Sequence, residues 1–85
     1  MVIKVLGSGC TNCKRLEAMV QEVIGEMGLD ATVEKVMDIR DIMSYRVLGT
    51  PGLVIDGKVV SAGRVPSKAE ITTWVADAAT AAPEA

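Results

Sequence analysis

The passage from VIKVL at residues 2–6, through Gly7-Ser8-Gly9, into CTNCKRLE constrains this chain more than any other stretch. VIKVL is β-branched and apolar and stops at a glycine, which predicts a buried strand over 2–6. Gly7, Ser8 and Gly9 make the turn. From about Cys10 to Met27 the residues Leu16, Val20, Val23, Ile24 and Met27 share one helical face. Gly25 weakens that helix by about 1 kcal/mol relative to Ala, and Gly28 is a natural stop. This strand and helix are the first pair in an order of elements that suggests a mixed sheet covered by helices.

The rest of the chain continues in kind. TVEKV at 32–36 suits a second strand. Asp38 can cap a short helix, ended by Leu48, in which Ile39, Ile42 and Met43 share a face and Asp41 suits the first turn. Strands over 53–55 and 58–60 are joined by Asp56-Gly57, a strong hairpin signal. Ser67 and Glu70 form a capping box for a last helix, where Ile71, Trp74, Val75 and Ala78 recur at helical spacing. The order is βαβαββα, an α/β domain over residues 1–80, and TAAPEA at the end predicts fraying over 81–85.

Composition removes several functions. A net charge of −2 offers no basic field for nucleic acid, and one Trp, one Tyr and no Phe offer no stacking platform. No stretch approaches the roughly 18 apolar residues of a membrane span. Lys4 interrupts an N-terminal apolar run already too short for a signal peptide. The expectation is a cytoplasmic protein without membrane partners, acting as a monomer. Met19, Met27, Met37 and Met43 read as core fillers, and Tyr45 and Trp74 as packing residues.

The chain has only two cysteines, Cys10 and Cys13. In the cytoplasm structural disulfides are rare, and a bridge closing so small a loop removes little unfolded-state entropy. At a helix start, unpaired N–H groups and the helix dipole lower a thiol's pKa. Cys10 would face solvent and Cys13, a turn later, would be shielded. That asymmetry suits dithiol exchange, in which an exposed sulfur attacks a disulfide and a neighbour resolves the product. The alternatives are a pair of inert cysteines, a soft-metal or arsenite site without turnover, and a copper chaperone. One pair supplies two ligands where structural zinc needs four, and the chain has no histidine. A chaperone of the ferredoxin-like type would want βαββαβ order. Thr50-Pro51 alone reads as a trans turn, and Gly63 as a bend.

GSGCTNC, TPGLVIDGKVV and GRVPSKAEI, in this order, resemble the thioredoxin-like family over roughly residues 2–78. They are most similar to its small thioredoxin/glutaredoxin-like group, sometimes called redox-active disulfide protein 2. The resemblance implies a thioredoxin-like fold with a four-stranded mixed sheet flanked by three helices. It implies a protein-disulfide oxidoreductase with Cys10 as nucleophile and Cys13 as resolving thiol. Its cofactor is then its own redox-active Cys10–Cys13 disulfide, with no bound cofactor or metal. Thr50-Pro51 would be cis, and Thr50, Pro51, Thr11 and Asn12 would meet substrate proteins. A thioredoxin-reductase-type flavoprotein or a related reductase would recycle the dithiol. Two departures stand out. Gly9 and Thr11-Asn12 replace the Trp and Gly-Pro of ordinary thioredoxins, which implies a flatter, less apolar substrate surface. Lys4 falls where their buried acid lies, which predicts either an exposed edge position for Lys4 or a slipped alignment.

Overall fold

The computed structural model describes residues 1–7 and 9–80, so the tail expected to fray, 81–85, lies outside the described residues. Among them the chain forms β1 (Val2–Leu6), α1 (Thr11–Met27), β2 (Thr32–Val36), α2 (Ile39–Ser44), β3 (Gly52–Ile55), β4 (Lys58–Ala62) and α3 (Lys68–Thr80). The sheet order is β2-β1-β3-β4. β1 and β2 are parallel, whereas β1–β3 and β3–β4 are antiparallel. This is the four-stranded mixed sheet flanked by three helices that the family resemblance implied.

The termini follow from local chemistry. Gly28 closes α1 in the left-handed region at φ 64°, its N–H donating to the Gly25 and Ile24 carbonyls. Asp56 and Gly57 both take positive φ, 47° and 84°, as the tight turn between β3 and β4 requires. At α3 the capping box forms in both directions: Glu70 N–H donates to Ser67 Oγ, and Ser67 N–H to Glu70 Oε1, each at 3.1 Å. β3 starts at Gly52 and β4 runs on to Ala62, longer than the apolar pattern alone indicated.

Alternation along the strands splits the core between the two faces of the sheet. Ile3, Val5, Leu53 and Ile55 pack with Leu16, Val20 and Val23 of α1 and with Ile71 and Val75 of α3. On the other face only Leu6 and Val54 join Ile42 of α2 as a buried cluster, with Tyr45, Val47, Val36 and Val59 around it. The second layer is thin, and it corrects the reading of α2. That helix is only six residues long. Ile42 is buried, while Ile39 and Met43, assigned to the same inward face, are 65% and 66% exposed. Met37 is 53% exposed too, whereas Met19 and Met27 pack against the main core as expected. A six-residue helix offers room for one inward anchor over so small an apolar patch.

Lys4 needs a second correction. β1 pairs on both sides, so Lys4 does not sit at a sheet edge. Its side chain leaves the thinly covered face and donates from Nζ to the Tyr45 hydroxyl at 3.2 Å, with the ammonium 5.9 Å from the ring centre. That hydrogen bond raises the Lys4 pKa above its ordinary value.

Candidate active site

The carboxyl ends of the parallel strands β1 and β2 open onto the N-terminus of α1, where the two cysteines meet as a disulfide. Cys10 is the N-cap, extended at φ −67° and ψ 165°, and its Sγ accepts the Cys13 N–H at 3.2 Å. A sulfur there takes the place of the usual capping oxygen and faces orphan N–H groups, an environment that favours negative charge on it. Cys10 is exposed and Cys13 is 5% exposed. The asymmetry expected from the sequence is present.

Gly7 makes room for the inner sulfur. A Cβ at this position would collide with Cys13 Sγ and approach Thr50 Cβ to 3.9 Å, so β1 can end this close only without a side chain. Thr50 and Cys13 thus converge on Gly7. The Thr50-Pro51 bond is cis, as the family resemblance implied and the dipeptide alone did not. Pro51 is buried, Thr50 exposed, and the Pro51 carbonyl accepts Gly63 N–H at 3.0 Å. Gly63 stands at the expected bend, φ 79°. Thr11 and Asn12 open α1 with both side chains exposed.

Beside Cys13 lies a cavity of about 120 Å³, walled in part by Val5, Gly7, Gly9 and Met37. Lys14, Glu17 and Lys35 complete it, and Glu17 pairs with Lys35 at 3.4 Å. Among the described residues no three His, Cys, Asp or Glu side chains gather closely enough to hold a metal ion. No described helix is long and apolar enough to cross a membrane.

At this end Met37, Ile39 and Met43, read from the sequence as packing residues, and Leu48, read as a helix end, are all large, apolar and exposed. Ile39, Met43 and Leu48 share a shallow depression with Thr50. The surface beside the cysteines is therefore more apolar than the absence of a Trp before Cys10 suggested. The one available signal was the density of apolar residues in a segment too short to bury them.

A disulfide at a helix start, set against a cis-proline on a four-stranded mixed sheet, defines a class of α/β redox proteins. The thioredoxin domain family model matches residues 1–76. A thioredoxin of Methanothermobacter thermautotrophicus is 41% identical over 71 residues, 84% of this chain and 92% of that protein. A thioredoxin of Methanocaldococcus jannaschii is 37% identical over 71 residues, 84% of this chain and 81% of that protein. This chain belongs to the thioredoxin domain family. Relatives and disulfide together support a thiol–disulfide oxidoreductase.

Proposed function

We propose that this protein is a cytoplasmic reductant of protein disulfides, working as one thioredoxin-like domain over residues 1–80. The observation that carries the reading is the unequal exposure of the two sulfurs at the head of α1. Reduced Cys10, as thiolate, attacks a substrate disulfide and forms a mixed disulfide. Cys13 then attacks Cys10 Sγ, releasing the reduced substrate and closing the Cys10–Cys13 bond. The helix N-terminus stabilises the Cys10 thiolate, both as attacker and as leaving group on re-reduction. The substrate chain lies along Thr50 in β-strand fashion, with Thr11 and Asn12 on one side and the Ile39–Met43–Leu48 surface on the other. A flavoprotein reductase of the thioredoxin-reductase kind restores the dithiol.

Trapping tests the roles. Cys13→Ser accumulates mixed disulfides with protein substrates and Cys10→Ser forms none; stable adducts through Cys13 in Cys10→Ser protein would reverse the assignment. Equilibration with thiol buffers, metal removed, tests the activity. A reversible two-electron couple near or below the cytosolic glutathione poise, roughly −220 to −320 mV by method, fits a reductant. Absence of any such couple, together with tight uptake of a soft metal or arsenite, would leave the dithiol as a binding site.

A further inference from the structure

Resolution of the mixed disulfide begins with the Cys13 thiol losing its proton, and only the thiolate attacks. Cys13 is 5% exposed, so bulk water reaches it poorly. The proton needs an acceptor inside the cavity on which Cys13 opens. Val5 of β1 and Gly7 just beyond it form part of the wall, and neither titrates. Lys4, the titratable residue of β1, points to the opposite face and bonds Tyr45. Lys14 of α1 and Lys35 of β2 bring cationic side chains to the wall rather than a proton acceptor. Gly9 and Met37 offer no acceptor. Glu17 is the carboxylate left among the described lining residues.

Its placement follows from helix geometry. Glu17 lies four residues after Cys13 on α1, hence on the same face, and helical side chains lean toward the N-terminus, here toward Cys13. Lys35 holds the carboxylate at 3.4 Å, and the Glu17 side chain is 27% exposed, enough to exchange a proton with solvent. A cavity of about 120 Å³ has room for water, each molecule occupying about 30 Å³ of the liquid, so the transfer can run directly or through a bridging water.

We propose that Glu17, positioned by Lys35, accepts the proton of the Cys13 thiol during resolution and returns it when the disulfide is reduced. The inference rests on Cys13 being the resolving thiol, as proposed above. In the forward step Cys13 gives its proton to the Glu17 carboxylate, and the thiolate attacks Cys10 Sγ. The Cys10–Cys13 bond forms as the bond from Cys10 to the substrate sulfur breaks. The substrate sulfur leaves with the electron pair and takes up a proton from water or from Glu17. Counted from the Cys10 thiolate, the protein has then lost two electrons and the Cys13 proton, and the substrate disulfide has gained two electrons and two protons, the second proton from solvent.

The test uses a chromogenic aromatic disulfide with the full-length reduced protein. Attack by Cys10 releases one chromophore and leaves the other on Cys10; attack by Cys13 releases the second. The mixed disulfide is formed at acid pH, then jumped to a series of higher values, and the second release is timed. Glu17→Gln should slow that release about 100-fold at neutral pH, the low end of what a general base contributes, and recover as hydroxide takes over. The first release should not change. Lys35→Gln should move the pH midpoint of the second release upward, because a cation beside both anions is lost. Glu22→Gln, elsewhere on α1, should match the wild type. A Glu17→Gln protein that resolves as fast as wild type at every pH overturns the proposal, as does a Lys35→Gln midpoint that stays put. A wild-type protein with no second release, or a Cys13→Ser protein that retains it, would instead sink the assignment of Cys13 itself.

Discussion

At the scale of single residues, the smallest side chain is among the most constrained. Gly7→Ala drives a methyl into Cys13 Sγ, and overpacking of this kind costs about 1–3 kcal/mol. Denaturant unfolding of the Gly7→Ala protein should show that loss, with β1 and the inner sulfur forced apart. Sequence reading assigned Gly7 to a turn, and a turn does not announce which sulfur will be pressed against it. Cys10 and Cys13 were legible because a paired motif at a strand–helix junction has few other uses. Glu17 was present in the sequence four residues after Cys13, yet its partner Lys35 comes from β2, and only the parallel pairing of β1 with β2 brings them together. Lys4 was misjudged for a related reason. A central strand can carry a lysine where the helix layer over it is thin enough for the ammonium to reach a tyrosine hydroxyl.

Among the elements, α1 and α3 obeyed their periodicity because each spans enough turns to cover the sheet, whereas α2 did not. Positions 39, 42 and 43 form a stripe on paper, and the pattern cannot say whether anything lies opposite. α3 carries a pH-dependent anchor at its start. Arg64 donates two hydrogen bonds to the Glu70 carboxylate at 3.0 and 2.7 Å, and Ser67 N–H adds a third at 3.1 Å. Together, Arg64 first, they hold Glu70 at about 2 instead of 4.5. The folded-state value is the lower one, so ionised Glu70 adds stability that is complete above about 4.5 and drains away as pH falls toward about 2. Melting temperatures across that window should fall less steeply in Glu70→Gln than in wild type. Equal slopes would mean that the carboxylate is as free in the folded chain as in the unfolded one.

Over the whole molecule, the sheet divides labour between its faces. The face under α1 and α3 carries most of the core, and four large apolar side chains in or beside the α2 segment, Met37, Ile39, Met43 and Leu48, stay in the open. Three of these border Thr50, which suits docking of a partner over the disulfide. Leu48→Asp should therefore lower kcat/KM toward protein disulfides while leaving the rate with a small aromatic disulfide, and the melting temperature, unchanged. An equal drop for both substrates would remove this surface from recognition. The same exposure has a chemical consequence for the life of the molecule. Thioether sulfur is oxidised where oxidant can reach it, and among the methionines Met19 and Met27 are half-buried against the core while Met37 and Met43 are exposed at the rim. Under peroxide, sulfoxide should appear by mass spectrometry at the rim pair well before the core pair. Because sulfoxide is polar, the docking surface would age chemically while the fold beneath it stayed intact, and a worn protein would keep its disulfide chemistry after losing its grip on partners.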